Sequence, residues 1–101
     1  MENLTPQERK QIPIYSGFIK YFPRAIIEIA RLSQIANNQH NPNEPLHWAK
    51  EKSSDHQDAM MRHLIDDIIN DKKDTDDVLH LTKVAWRSLA QLEIYLENEK
   101  K

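Results

Sequence analysis

One stretch of the sequence, residues 76–87, combines acids, an imidazole and cations at helical spacing. Four of these residues recur four, three and four positions apart and so share one stripe of a helix: Asp76, His80, Lys83 and Arg87. A second acid, Asp77, lies beside the acidic end. Carboxylates with an imidazole suit a divalent cation such as Mg²⁺, and the two cations beyond them would bind phosphate oxygens. The alternative is simpler, because acids at a helix start and bases further along complement the helix dipole without any ligand.

A second candidate is the segment 58–64, which reads D-A-M-M-R-H-L in a predicted helix. Asp58 and Arg62 are four residues apart and face the same way, while His63 begins the neighbouring stripe. These residue types could bind a metal ion and a phosphate group. An ordinary surface ion pair next to a half-buried histidine is the alternative interpretation, since such pairs are common on exposed helix faces.

Two single residues, Glu28 and Trp48, are further candidates. Glu28 lies between Arg24 and Arg31 on the first predicted long helix, which favours a solvated salt bridge unless other acids face it. Trp48 lies in a loop rich in Asn and Pro, where a large aromatic residue usually folds back onto the body of the protein. The five histidines include neither H-x-x-x-H nor H-E-x-x-H, so their spacing does not predict a structural zinc site.

The elements that must position these residues are helices. The chain of 101 residues has one glycine, too few for the turns of a multi-stranded β-fold, and most of it carries three-four apolar spacing. We predict an all-α fold with three main helices over residues 23–37, 54–70 and 75–97, preceded by an N-terminal arm, residues 1–22. Three such helices bury a thin core, so the domain of residues 23–99 is expected to complete a small helical bundle by oligomerisation.

Composition and charge exclude several classes of function. Fourteen basic against sixteen acidic residues give a net charge of -2, without the basic face that nucleic acid binding needs. No apolar run approaches the roughly 18 residues of a membrane span, and the first residues do not resemble a signal peptide. With no cysteine, neither disulfides nor thiolate metal sites are expected. We therefore expect a cytoplasmic protein with no membrane and no nucleic acid partner.

Four segments together resemble the dATP/dGTP diphosphohydrolase N-terminal domain family, which is common in bacteriophages. In chain order the segments are E-I-A-R-L at 28–32, H-W at 47–48, D-A-M-M-R-H-L at 58–64 and H-L-T-K at 80–83. The corresponding family patterns are E-L-A-x-V, N-W, D-A-x-x-R-H-L and H-L-x-H. The resemblance covers about residues 23–96 and is complete in the third segment. The family is similar in turn to the all-α, MazG-like nucleotide pyrophosphohydrolases and the dimeric dUTPases.

Several positions depart from the family pattern. Lys83 stands in place of the second histidine of H-L-x-H, Arg87 in place of the asparagine that follows, and His47 in place of the asparagine of N-W. Residues 36–40, A-N-N-Q-H, stand where the family has G-A-x-K-Y. The two added cations change the charge of the phosphate site that the resemblance implies.

The resemblance implies a metal-dependent (deoxy)purine nucleoside triphosphate pyrophosphohydrolase. A water activated by Mg²⁺ or Mn²⁺ would attack phosphorus in a deoxynucleoside triphosphate, releasing pyrophosphate and the monophosphate. The implied site residues fall into three groups: catalytic Asp58, His63 and His80; metal-binding Glu28, Asp58, Asp76 and Asp77; and substrate-binding Trp48, Arg62, Lys83 and Arg87. A homodimer or homotetramer is implied as well, in the host cytoplasm if the protein is phage-encoded.

A non-enzymatic helical interaction or adaptor protein, possible for a phage-encoded relative, is the alternative function. The departures from the family pattern favour it, and in that case Trp48 only fills the core. The two functions differ in an observable way, because a ligand that binds the native state alone stabilises it. A pyrophosphohydrolase should gain thermal stability from a non-hydrolysable deoxynucleotide with Mg²⁺ or Mn²⁺, and an adaptor should not.

The short turn at residues 70–74 predicts that the second and third helices are antiparallel neighbours. The axial rise of a helix then brings one group of side chains level with each other. The group consists of His63, Asp66, His80 and one of Asp76 and Asp77. Asp58 is left to pair with Arg87 or with a partner subunit.

Overall fold

The computed structural model describes residues 3–50 and 54–99. Within these ranges the chain forms four α-helices, one π-helical turn and no strand, so the predicted all-α class is confirmed. In chain order the elements are α1 (Pro6–Lys10), the π-helical turn (Tyr15–Ile19), α2 (Pro23–His40), α3 (His56–Ile69) and α4 (His80–Glu99). α4 packs against both α2 and α3, which makes the fold a small helical bundle.

Local signals divide the N-terminal arm into short pieces. Thr5 caps α1 through a capping box: its Oγ1 accepts the Glu8 N–H at 3.1 Å, and Glu8 Oε1 accepts the Thr5 N–H at 3.0 Å. Further along, the Gly17 N–H donates to the Pro13 carbonyl at 2.7 Å, and a Cβ at position 17 would lie only 2.9 Å from Pro13 Cγ. Glycine is therefore the residue that allows this close approach. None of the described residues of the arm is buried.

α2 begins at Pro23, where proline suits the first turn of a helix, but it ends at His40 rather than at Asn37. Asn37 is buried, and its side chain serves the loop that follows the helix. Its Nδ2 donates to the Glu44 carbonyl at 3.0 Å, and its Oδ1 accepts the His47 N–H at 3.2 Å. Because the amide bonds the loop and not its own helix backbone, the helix continues past it.

The segment between α3 and α4 departs most from the prediction. α4 begins at His80 and not near residue 75. Asp77 has a φ of 68°, in the left-handed region that aspartate tolerates, and an antiparallel bridge joins Lys73 to Leu79. The predicted placement of Asp76 and Asp77 in the first turn of a helix is therefore wrong, because both residues lie in a loop before α4.

Few large apolar side chains are buried within one chain. The buried hydrophobic residues among those described are small: Ala59, Val78 and Ala90. Several members of the apolar stripes of α3 and α4 are at least half exposed: Ile65, Ile68, Ile69, Leu81 and Leu92. Exposed apolar stripes of this kind are typical of interaction sites. In the part of the chain that the structure describes, no helix combines the length and apolar character needed to cross a bilayer.

We propose that a second copy of the chain covers these stripes. Removing apolar surface from water is favourable by roughly 25 cal/mol per Å², so pairing of the two stripes stabilises both copies. We expect sedimentation equilibrium at micromolar concentration to give at least twice the chain mass of 11.9 kDa. Leu92→Glu should shift the mass towards the monomer, whereas Ser88→Glu, at an exposed polar position of the same helix, should not. A monomeric wild-type mass with the helices intact would contradict the assembly.

Candidate functional site

Two histidines, one from segment 58–64 and one from segment 76–87, are in contact where α3 packs against the start of α4. The Nδ1 atoms of His63 and His80 lie 2.9 Å apart, with ring centroids at 5.2 Å and ring planes inclined by 35°. One imidazole donates this hydrogen bond and the other accepts it. His80 is buried, while the His63 side chain is 20% exposed. The expected proximity of the two histidines is confirmed, but Asp66, expected beside them, instead accepts a hydrogen bond from Asn70 at 3.0 Å.

Two carboxylates from the loop before α4 converge on the ammonium group of Lys83. Its Nζ donates to Asp74 Oδ2 at 2.8 Å and to Asp76 Oδ2 at 2.9 Å. From the end of α2, Gln39 Nε2 also donates to Asp76 Oδ2, at 3.3 Å. The Asp74 Oδ2 atom lies 4.0 Å from His63 Nδ1, so acids and imidazoles form one group. We name this group the junction cluster: His63, Asp74, Asp76, His80 and Lys83.

Backbone donors hold both carboxylates of the junction cluster in place. Asp74 Oδ1 accepts the Thr75 N–H at 2.7 Å, and Asp76 Oδ1 accepts the Val78 N–H at 3.2 Å. Short aspartate side chains that bond nearby backbone groups offer the chain an alternative to helical hydrogen bonding. This competition explains why α4 begins after the acids and not before them.

The junction cluster shifts the pKa values of its charged groups. The hydrogen bond from Lys83, together with a backbone N–H, holds the pKa of Asp74 at about 2, below its ordinary 3.8. Burial raises the pKa of Asp76, but hydrogen bonds from Lys83 and a backbone N–H outweigh burial and lower it. Burial acts to lower the pKa of Lys83, but its hydrogen bonds to the two aspartates outweigh burial and raise that pKa above its ordinary value. Burial and then the Lys83 charge lower the pKa of His63, so its imidazole is neutral at pH 7.

Acid is expected to weaken the fold through Asp74. Its folded pKa of about 2 lies below the ordinary 3.8, so the unfolded chain binds the proton more readily. The stabilisation from this carboxylate is therefore complete above about pH 4 and is lost as the pH falls towards 2. We expect the urea midpoint of wild-type protein in EDTA to fall over this range, and that of Asp74→Asn to fall less. Equal acid sensitivity of the two proteins would contradict the assignment.

Glu28 lies far from the junction cluster. On α2 its Oε1 accepts a hydrogen bond from Arg31 Nη1 at 3.0 Å, in an exposed ion pair. About 16 Å of helical rise separate it from Gln39, the α2 residue that reaches Asp76. The solvated salt bridge considered for Glu28 is thus the arrangement that a single chain adopts.

Asp58 and Asp77 also lie outside the junction cluster. Asp58 is exposed in the first turn of α3. The Asp77 side chain is 85% exposed and pairs with Lys73 Nζ at 3.5 Å. Of the four acids expected to hold Mg²⁺ or Mn²⁺, Asp76 is the one in the cluster, and it is already paired with Lys83. Since Mg²⁺ needs several converging oxygen ligands, these four acids of one chain do not fit it as a bound ion.

Arg62 and Arg87 meet around one carboxylate near the start of α3. Arg62 Nη2 lies 3.7 Å from Asp55 Oδ2, and Arg87 Nη1 lies 3.8 Å from Asp55 Oδ1. Arg87 Nη1 also donates to His56 Nδ1 at 3.2 Å. His56 is buried, and its Nε2 has no hydrogen-bond partner among the described residues. Two of the expected phosphate ligands thus approach the same carboxylate.

Trp48 packs against α4 and leaves part of its ring to a cation. It meets Trp86 edge to face, with centroids 5.4 Å apart and planes at 80°, and Lys50 Nζ lies 5.0 Å from the Trp48 centroid. Trp86 Nε1 in turn donates to Ser33 Oγ on α2 at 2.9 Å. The loop therefore folds back onto the bundle, as predicted for a large aromatic residue. Its indole ring offers a flat surface against which a planar cation or base stacks.

Several residues of these groups could not be identified from the sequence pattern. Asp74 directly precedes the helix predicted over residues 75–97, and the run D-T-D at 74–76 is typical of a turn in which aspartates bond the backbone. Gln39 and Asp55 carry no local signal, because the partners they contact lie on other elements. His56 stood out only as one of five histidines.

Comparison with known proteins agrees with the sequence pattern. A family model described as dATP/dGTP diphosphohydrolase, N-terminal, matches residues 7–101, nearly the whole chain. Neither a curated protein nor a solved structure matches the chain significantly. The matched range includes both segments that supply the histidine pair.

Proposed function

Because the chain belongs to the dATP/dGTP diphosphohydrolase N-terminal family, we propose that it hydrolyses (deoxy)purine nucleoside triphosphates to the monophosphate and pyrophosphate. The observation that carries the proposal is the contact between His63 and His80 at 2.9 Å. The two segments that supply these residues belong to the family pattern and lie on different helices. Their meeting at one place supports a reaction site there.

The reaction requires a water molecule to be activated next to phosphorus. The water oxygen forms a bond to the α- or β-phosphorus, and a base takes up the water proton. The bond from that phosphorus to the oxygen bridging the α- and β-phosphoryl groups breaks. Its electron pair stays on the bridging oxygen, which leaves with the other product. We assign water activation to the pair of His63 and His80, because an imidazole nitrogen with a lone pair takes up a proton from water or binds a cation. Mg²⁺ enters as part of the nucleotide substrate, since it commonly binds proteins together with substrate phosphates.

The triphosphate charge is met by Arg62 and Arg87 in this proposal. Both guanidinium groups already approach the Asp55 carboxylate. A triphosphate carries more negative charge than this carboxylate, so its oxygens can replace Asp55 as acceptors from the two arginines. Lys83 stays paired with Asp74 and Asp76, and its positive charge acts on the junction cluster without binding phosphate. The arrangement is supported by the position of both arginines on the helices that also carry the histidine pair.

The purine is assigned to Trp48. The Lys50 ammonium lies over the Trp48 ring, 5.0 Å from its centroid. This cation–π contact indicates that one face of the ring is not covered by the core. A purine stacked there gains apolar burial from a rigid surface. The loop that carries Trp48 is tied to α2 through Asn37, so the ring is held in position without the nucleotide.

A helical interaction module without turnover is the second candidate function. One observation favours it: large apolar side chains of α3 and α4 are exposed in a single chain, as on a surface made for another protein. This candidate predicts that nucleotides neither bind nor react.

A nucleotide screen separates the two functions. We expect purified chain with Mg²⁺ or Mn²⁺ to release pyrophosphate from dATP or dGTP faster than from dCTP or dTTP. A non-hydrolysable purine deoxynucleotide should raise the melting temperature, because it binds only the native state. Arg62→Gln should weaken that rise and Arg31→Gln, at an exposed pair on α2, should not. No turnover and no shift with any nucleotide would favour the interaction module.

A further inference from the structure

We propose that His63, Asp74 and His80 form a binding site for one divalent transition-metal ion of the Zn²⁺ type. One ligand atom from each residue, two imidazole nitrogens and one carboxylate oxygen, lies within 4.8 Å of the others. The three residues come from α3, from the loop before α4 and from the first residue of α4. The inference does not depend on the proposed hydrolysis, because the binding of the metal alone requires no nucleotide.

The distances suit one ion shared between the ligands. Zinc–nitrogen and zinc–oxygen bonds are about 2.0–2.2 Å long, so two ligand atoms of one ion lie at most about 4.2 Å apart. The His63 and His80 Nδ1 atoms are 2.9 Å apart, and His63 Nδ1 is 4.0 Å from Asp74 Oδ2. All three ligand atoms lie within 4.8 Å of one another, so a shift of less than about 1 Å brings them within bonding range of one ion. Solvent reaches the site through His63 and Asp74, while His80 forms its buried wall.

The contact between the imidazoles already has the chemistry of a bridging cation. In the Nδ1–Nδ1 hydrogen bond, one ring donates its Nδ1 proton to the lone pair of the other, and the donor gains an Nδ1 lone pair when that proton leaves. A metal ion in place of that proton bonds both lone pairs at once, while the displaced proton moves to an Nε2 atom or to solvent. The lowered pKa of His63 favours the neutral form that a metal ligand requires.

The ligand types select the class of metal. Imidazole nitrogen suits Zn²⁺ and other first-row transition ions, whereas Mg²⁺ takes oxygen ligands and keeps its waters. Two imidazoles and one carboxylate are a frequent three-ligand set, with water completing the coordination. The site therefore differs in ligand chemistry from the set of four acids that the sequence pattern implies for Mg²⁺.

Lys83 is the group that competes with the metal, since its Nζ donates to the same Asp74 Oδ2 atom. Loss of that bond does not leave the ammonium unpaired, because Asp76 Oδ2 accepts a second bond at 2.9 Å. Asp74 Oδ1 meanwhile keeps its bond to the Thr75 N–H and orients the carboxylate, as outer partners of metal ligands commonly do. The cluster can thus exchange one cation contact for another.

Zinc titration of the chain without nucleotide tests the proposal. After treatment with EDTA, we expect isothermal titration calorimetry to give one Zn²⁺ per chain, and Co²⁺ to develop visible absorption on binding. His63→Gln and Asp74→Asn should each weaken Zn²⁺ binding at least about tenfold. Two matched variants should bind like wild type: Asp71→Asn, an exposed aspartate of the same loop, and His40→Gln, an exposed histidine at the end of α2. Circular dichroism checks that each variant keeps its helices.

The site would be overturned by no Zn²⁺ binding by the folded wild-type chain, by unchanged affinity in folded His63→Gln, or by Mg²⁺ binding as tight as that of Zn²⁺ without nucleotide. Equal losses in Asp74→Asn and Asp71→Asn would remove Asp74 from the ligand set and overturn the site likewise. The metal site and the proposed hydrolysis can fail separately. A chain that hydrolyses dATP or dGTP without binding Zn²⁺ would have the proposed function and lack the metal site.

Discussion

Replacing His63 by glutamine is expected to lower pyrophosphate release from dATP or dGTP by about 10²–10⁴-fold, the usual contribution of a group that activates water. The substitution removes one of the two imidazole lone pairs at the junction cluster. Glutamine keeps a polar group that can bond His80, and it is a good helix former, so α3 should retain its structure. Steady-state kinetics of the variant, with circular dichroism as the check on folding, measure this effect.

The control for His63→Gln is His40→Gln. His40 is exposed at the last residue of α2, so the same chemical change there should leave kcat and KM unchanged. If folded His63→Gln keeps the turnover of the wild-type chain, water activation does not occur at the histidine pair. A loss of activity in both variants would point to a general effect of histidine on stability and not to this site.

Replacing Lys83 by methionine is expected to reduce the free energy of unfolding by about 2 kcal/mol. The ammonium group bonds two carboxylates, and its removal leaves Asp74 and Asp76 close together and partly buried without a counter-charge. Breaking a fully buried ion pair costs about 3–5 kcal/mol, and the partial exposure of these aspartates reduces that figure. Methionine has nearly the same length and helix propensity, so the loss reports the charge and not the helix. Urea unfolding at pH 7 measures it.

Lys73→Met provides the matched comparison for Lys83→Met. Lys73 also pairs with an aspartate of the same loop, Asp77, but the two side chains are 54% and 85% exposed. Exposed pairs contribute only about 0–1 kcal/mol, so this variant should unfold almost like wild type. Equal destabilisation by the two substitutions would show that Lys83 does not hold the junction cluster together.

The helical architecture was predictable because its causes are local. Apolar residues at three-four spacing, together with Pro23 at a helix start, produce helices close to the predicted positions over α2 and α3. The start of α4 was not predictable from the same signals. Acids before an apolar run suit a helix N-terminus, and here Asp74 and Asp76 instead bond backbone groups of a loop. Spacing alone does not say which of these two uses of aspartate has the lower free energy.

The candidate site was predictable only in part. The rise per residue of an antiparallel helix pair brings His63 level with His80, and the structure places their Nδ1 atoms in contact. The same arithmetic could not supply Asp74, because the position of that side chain depends on the bridge between Lys73 and Leu79. A histidine pair split between two helices also has none of the short spacings by which zinc motifs are recognised.

The proposed hydrolysis is tested by the identity of its reaction products. Purified chain is incubated with dATP or dGTP in the presence of Mg²⁺ or Mn²⁺, and nucleotide and phosphate species are separated and quantified over time. We expect equal amounts of the deoxynucleoside monophosphate and pyrophosphate, with no diphosphate intermediate. Formation of the diphosphate and orthophosphate, or unchanged triphosphate after prolonged incubation with folded protein, would contradict the proposed hydrolysis.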